Sequence, residues 1–393
     1  MKALQIDRSV SRLGAARLLA AVSPAGAARI GPLAYSTIDD PGQPGPGWRQ
    51  VTTRLAGICG SDLSLVEGHA SPYFDDWVSF PFVPGHEVVG ELDDGTRVVL
   101  EPVLGHEARG AEPPFDGAAP GDGDDYAHLV TGPLQPGIQT GFCCSTGGGW
   151  APWFWAHDSQ LHSVPDDMPD ERAVLVEPFA GGLHAALLAV DRVKSVDRPV
   201  IAVLGAGTMG LAAVAGLRRH LPEAHIVVGA RYRHQRRFAG EYGADVVVEP
   251  DRLDRAVRRI VGCHLIGDEL SSGAHASIEA GGSCGSITDS LRVTRPRGRV
   301  VLLGMPAAVT VDLTGLWHRE TELRGAYTYG TETLPDGTQT TTFELALDLV
   351  GQVEAERLLS ATYQLVDHVD AIAHAAQAGP RGAVKIAFDL TRS

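Results

Sequence analysis

Two textures of apolar and polar residues divide this chain of 393 residues. From the first residue to about 180, short apolar runs such as Arg97–Leu100 alternate with stretches rich in Gly and Pro, the pattern of a β-rich domain with long loops. From Pro199 the texture changes. Val200–Leu204 is an unbroken apolar run of strand length, residues 211–220 have helical composition, and 225–230 read as a strand again. Further strand candidates fall at 245–249, 277–280 and 299–304. Such alternation predicts an α/β fold built on a doubly wound parallel sheet with helices on both faces. Beyond about Leu323 it stops, leaving one helix candidate at 343–350 and a late strand at 384–388. A tail with so little apolar sequence cannot form a core of its own. Two domains are therefore expected, 1–180 completed by 325–393, and 181–324. Residues 1–6 read as a strand, so the Ala- and Arg-rich segment 12–29 is an insertion in that first domain rather than a transit peptide.

Composition narrows the class. A chain that is 44% hydrophobic and 21% charged is an ordinary globular protein. Its net charge of -15 excludes a nucleic-acid partner, which needs a basic surface. No uninterrupted apolar run approaches the ~20 residues of a membrane span. Five scattered cysteines, at 59, 143, 144, 263 and 284, form no disulfide framework and point to a reducing, cytoplasmic setting. The chain has three lysines, so arginine is its default cation. The acidic loop 113–125 lacks the residue order of a calcium loop and is expected to be solvated.

Gly205-Ala206-Gly207-Thr208-Met209-Gly210 follows the first alternating strand and opens a helix. In such a turn the first glycine permits the bend, the second lets backbone approach a pyrophosphate, and the third allows close helix packing. Helix N-terminal amides then favour the phosphate charge. Gly205, Gly207, Thr208, Met209 and Gly210 are the predicted cofactor residues here. At the end of the next strand an acidic residue would grip the two hydroxyls of an adenosine ribose, but this chain has Ala230, followed by Arg231, with Arg233, Arg236 and Arg237 close behind. Loss of the carboxylate removes repulsion of a 2′-phosphate, and a guanidinium binds phosphate by paired hydrogen bonds. NADP(H) is the expected cofactor, with Arg231 and Arg236 as its phosphate ligands; a solvated arginine-rich helix face is the alternative.

Gly57-Ile58-Cys59-Gly60-Ser61-Asp62 and Gly85-His86-Glu87, with Val176-Glu177-Pro178, the glycine turn and the closing Ala383-Val384-Lys385, resemble the zinc-containing medium-chain dehydrogenase/reductase family, which includes alcohol, sorbitol and threonine dehydrogenases. The likeness runs nearly end to end. It implies a GroES-like catalytic domain joined to a Rossmann domain, and a catalytic zinc held by Cys59, His86 and Glu177. Thiolate, imidazole and carboxylate suit an open zinc site with a free fourth position. By the same resemblance Asp62 receives the ligand histidine's other N–H, or else it caps a turn. Ser61 matches the hydroxyl that carries away the substrate proton. Glu87 is a candidate exchange ligand.

The sequence departs from the family in two places. Ser64 stands where many relatives have a histidine in the proton relay, so either Ser64 with a water or His69 provides the exit. The four closely spaced cysteines of a structural zinc are absent between Arg97 and Phe142, which predicts one zinc per subunit, the catalytic one. Trp77 and Phe80 either line a pocket for an apolar or aromatic substrate or pack the core; the same choice holds for Trp150, Trp153 and Trp155, and His184 either faces the metal or is packed.

The expected activity is hydride transfer between NADP(H) and an alcohol, aldehyde or ketone. Reduction of a conjugated C=C or iminium bond, and a non-catalytic nucleotide-binding scaffold, are the rival readings. The implied partners are a small-molecule substrate and further copies of the chain, as a dimer or tetramer, with neither nucleic acid nor membrane.

Overall fold

Val200–Leu204 is apolar at every position because both of its faces are covered, the condition of a central parallel strand. In a computed structural model of the protein, which describes residues 1–334 and 336–392, it lies near the middle of a six-stranded sheet. The strand order is Val246–Val248, His225–Gly229, Val200–Leu204, Ala274–Glu279, Thr294–Leu302 and Glu322–Gly325, with every neighbouring pair parallel. Register aligns Val203 with Val228 on one side and Ile278 on the other, so buried β-branched residues run across the sheet. The connecting helices include Thr208–His220, Arg233–Glu241, Leu253–Val261 and Cys284–Val293. This is the predicted doubly wound sheet.

The other sheet is mixed. Its seven strands run Leu359–Tyr363, Lys385–Asp389, Trp48–Gly57, Val88–Glu91, Arg97–Leu100 and Leu161–Ser163, with Trp153–His157 pairing along Trp48–Gly57. The late strand therefore lies beside Trp48–Gly57, as a tail that completes the first domain must. Trp150 and Phe388, both fully buried, meet edge to face at 5.1 Å in the core of this sheet.

The chain divides into two compact units, Met1–Glu177 with Val350–Ser393, and Pro178–Leu349. The return falls at Val350 rather than at 325. Residues between the two positions are tied to the second unit, whose edge strand Glu322–Gly325 directly precedes them: Tyr329 packs on Phe343 at 4.8 Å, and Glu332 pairs with His184. The 12–29 insertion folds as two helices, Val10–Ala20 and Pro24–Ile30, capped by Ser9 and Ser23, between the paired strands Lys2–Ile6 and Leu33–Thr37.

One segment, Asp170–Val193, does have the length and composition of a membrane span, contrary to the count of uninterrupted apolar residues; 83% of its apolar window is buried inside the protein, as in a core helix. Pro178, Gly181, Gly182 and His184 interrupt the run without ending the helix Val176–Val193.

Candidate active site

Cys59 is the N-cap of the helix Gly60–Val66, which places Ser61 and Asp62 in the helix's first turn. Asp62 Oδ2 accepts the Cys59 backbone N–H at 3.0 Å, a helix-capping bond. Its other oxygen faces His86 Nδ1 at 3.5 Å. Both atoms of that second contact are buried and make no hydrogen bond of good geometry among the described residues. The two readings of Asp62, cap and partner of the histidine, thus belong to different oxygens of one carboxylate.

His86 follows Gly85, whose φ of +97° suits glycine and whose missing Cβ would lie 2.4 Å from Trp150. The His86 ring lies between a carboxylate and a hydroxyl. Nδ1 faces Asp62, while Nε2 lies 3.5 Å from Ser61 Oγ. The Phe142 ring packs 5.7 Å from the imidazole, a contact that no motif predicts.

Ligand atoms of Cys59, His86 and Glu87 lie within 4.8 Å of one another. Glu177 is outside this trio, but its charge acts on both His86 and Lys385. Glu87 is held on its far side by Lys385, whose Nζ donates to Oε1 at 2.6 Å, to Oε2, and to the Ile58 carbonyl at 3.2 Å. Lys385 is 4% exposed and Glu87 1%. A side chain at Gly57 would occupy the place of the Glu87 carboxylate, with its Cβ 2.0 Å from Oε2. The closing Ala383-Val384-Lys385 motif implies no role for Lys385 at the site. The available signal was a lysine, one of three in the chain, inside an apolar strand.

The local field is negative. Burial works against a charged His86, yet Asp62, Cys59 and Glu177 together hold its pKa well above the ordinary imidazole value. Burial pushes the Asp62 carboxyl up, against the pull of His86 and the Cys59 N–H. Burial also opposes the charge of Lys385, but Glu87 and then Cys59 keep its pKa above the usual lysine value. A soft sulfur, an imidazole whose rear nitrogen faces a buried carboxylate, and carboxylate oxygen beside them are a donor set that fits a zinc ion.

The glycine turn lies in the second unit. Gly205 has φ +107°, and a Cβ there would meet the Ala280 carbonyl at 3.1 Å. Gly210 approaches the Gly205 oxygen so closely that a Cβ would sit 2.1 Å away. A Cβ at Gly207, the N-cap of the helix Thr208–His220, would meet nothing within 4 Å among the described residues. Two of the three glycines are thus needed by the fold itself, and the third leaves open the space through which a pyrophosphate can approach backbone. Thr208 opens that helix and the Met209 side chain lies against Gly181.

Ala230 is buried just after the strand His225–Gly229, and Arg231 beside it is exposed. Arg236 Nη1 donates to the carbonyls of Ala230 at 3.1 Å and Arg231 at 2.7 Å, and lies 3.5 Å from Glu249. That nitrogen fastens the loop carrying Arg231.

Other predicted residues separate. His184 Nδ1 lies 2.6 Å from Glu332 in the second unit, which favours the packed reading. Trp150 is core; its Nε1 donates to the Gly57 carbonyl. Trp155 donates to the Pro41 carbonyl and touches Trp153 edge to face. The Ser64 carbonyl accepts the amides of His69 and Ala70 just past the helix end. In the lobe after residue 100, the buried Arg109 guanidinium donates to the carbonyls of Thr131, Gln135 and Gly137.

Two family models match the chain: alcohol dehydrogenase GroES-like domain over residues 45–166, and zinc-binding dehydrogenase over 208–373. Sorbitol dehydrogenase of Homo sapiens is 28% identical over 308 residues, spanning 73% of this chain and 76% of its own. Erythritol/L-threitol dehydrogenase of Mycolicibacterium smegmatis is 27% identical over 288 residues, 68% of this chain and 72% of its own. Among solved structures, 2R,3R-butanediol dehydrogenase from Bacillus subtilis superposes with a TM-score of 0.66 at 19% identity, covering 99% of each chain.

Proposed function

We propose, from the premise that this chain belongs to the zinc-containing medium-chain dehydrogenase/reductase family, that it is an NADP(H)-dependent polyol dehydrogenase that oxidises a secondary hydroxyl of a vicinal diol to a ketone. The observation that carries this reading is the trio of half-buried Cys59 with buried His86 and Glu87, and Asp62 behind the histidine. Cys59, His86 and Glu177 would hold the zinc, and Glu87, now tied to Lys385, is the oxygen able to exchange with one of them. The ion when bound supplies the Lewis acidity that lowers the pKa of the substrate hydroxyl, and the nicotinamide accepts the hydride.

The chain's own groups do the rest. Asp62, whose Oδ1 faces Nδ1 at 3.5 Å, would fix the imidazole tautomer by accepting there, leaving Nε2 for the metal side. Ser61, whose Oγ lies 3.5 Å from that nitrogen, would receive the hydroxyl proton, with the side chain of Ser64 or of His69 as its outlet. In the second unit, backbone at Gly207 and Thr208 receives the pyrophosphate. Absence of a carboxylate at Ala230 and the exposed guanidinium of Arg231, on a loop pinned by Arg236, support NADP(H). Vicinal polyols are the substrates named in the two curated relatives, which supports that class here.

Metal analysis of the purified protein and steady-state kinetics with sorbitol, erythritol and 2,3-butanediol test the proposal. One zinc per chain is expected, with kcat/KM at least about tenfold higher for NADP⁺ than for NAD⁺, the preference reversing in Ala230→Asp/Arg231→Ser. Absence of zinc, or no oxidation of any diol with either nucleotide, would refute it.

A further inference from the structure

A group of aromatic side chains in the first unit faces water where apolar rings ordinarily do not. Tyr73 is 69% exposed and Tyr126 50%, with Trp77 half-buried between them. Tyr73 and Trp77 are parallel to within 11° with centroids 6.4 Å apart, too far for one ring to cover the other, and Phe74 stands perpendicular to Tyr73 at 5.2 Å. Tyr126, from the lobe after residue 100, stands edge-on to Trp77 at 6.2 Å and forms a wall. The backbone holds Tyr73 in a short turn, Pro72–Phe74, with Ser71 Oγ accepting its amide. Exposed rings arranged in this way mark a recognition surface.

The rim of the surface identifies the ligand. Asp75, Asp76, Asp124 and Asp125 are all exposed beside the rings. Asp75 pairs with Arg8 and Asp125 caps Ala127, whereas Asp76 and Asp124 have no partner among the described residues. Carboxylates repel nucleotides and phosphorylated compounds, so stacking of a nucleobase is excluded. A neutral pyranose meets both requirements: one face of C–H groups lies against an aromatic ring, whose face is electron-rich, and its hydroxyls donate to carboxylates.

Packed rings also link this surface to the candidate active site. Ring contacts lead outward from His86 to Phe142 at 5.7 Å, to Phe82 at 5.4 Å and to Phe80 at 5.0 Å, three residues from Trp77. Ser79, between Trp77 and Phe80, accepts the Cys144 amide at 3.0 Å and joins this segment to that of Phe142.

We propose that Tyr73, Trp77 and Tyr126 form an outer subsite for a neutral sugar ring, so that the preferred substrate is a polyol bearing a second, glycosidically linked sugar. The assignment of the reacting end rests on the polyol reading above. Binding of the sugar ring does not.

Two measurements on the full-length protein separate these parts. Without nucleotide, titration with maltose or cellobiose followed by tryptophan fluorescence should saturate, and affinity should fall about tenfold in Trp77→Ala and in the surface variant Tyr73→Ser/Tyr126→Ser. The second variant removes exposed rings, so it keeps the test valid if Trp77→Ala misfolds. With NADP⁺, the ratio of kcat/KM for maltitol to that for sorbitol should exceed one and fall about tenfold in the same variants. Absence of disaccharide binding, or binding unaltered in both variants, overturns the subsite even if sorbitol is oxidised. Disaccharide binding lost in the variants, with no polyol oxidised, upholds the subsite and refutes the polyol reading. A change in sedimentation of the variants without any sugar binding would make the surface a contact between copies and overturn the proposal.

Discussion

Replacing Lys385 by Met tests the electrostatics beneath the trio most directly. Lys385 and Glu87 are almost fully buried, and the ammonium donates to both carboxylate oxygens and to the Ile58 carbonyl. Methionine matches the volume but leaves Glu87 a buried charge without a counter-ion. Removing one partner of a buried pair costs about 3–5 kcal/mol, much more than the pair contributes relative to an apolar replacement of both. For a unit of this size a kcal/mol shifts Tm by roughly 2–4 °C, so Lys385→Met should melt about 6–20 °C below wild type. The double variant Glu87→Gln/Lys385→Met removes the stranded charge and should recover at least half of the loss. Thermal melts of the metal-free forms supply the four corners of a double-mutant cycle. A single-variant shift under about 2 °C, or a double variant no better than Lys385→Met, would refute the claim that burial makes this pair interdependent.

Four further outcomes follow from the geometry. Gly207→Ala should leave Tm unchanged and weaken nucleotide binding by titration calorimetry, whereas Gly210→Ala should lower Tm, because its Cβ would meet the Gly205 oxygen. Asp62→Asn should reduce zinc affinity about 10–100-fold in chelator competition, since the partner of Nδ1 is altered. Arg109→Met should strand three carbonyls of the lobe and cost about 2–4 kcal/mol, with faster proteolysis between residues 105 and 140, and Arg109→Lys should restore little because one ammonium cannot span them. Burial raises the Glu101 pKa, opposed by its 2.7 Å contact with His162, so its contribution to stability is present below the ordinary carboxylate pKa and lost as pH rises through the raised one. Glu101→Gln mimics the protonated form, and its Tm advantage over wild type should therefore grow between about pH 4 and pH 8.

Sequence alone determined the features that depend on local chemistry and periodicity. The apolar strand before Gly205, the three glycines and the helix after them were legible because bending, phosphate approach and close packing each demand a residue without a side chain. Cys59, Ser61 and Asp62 were legible as a unit because they share one helical turn. Tertiary structure decided what depends on meetings between distant segments. Glu87 and Lys385 are 298 positions apart, and only pairing of Lys385–Asp389 against Trp48–Gly57 brings the ammonium under the carboxylate. The division of Asp62 between two partners, the place of Phe142 beside His86 and the turn of Tyr126 towards Trp77 have the same origin. The physical reason is that a contact energy acts through space, and sequence separation carries no information about direction once the chain has folded back on itself.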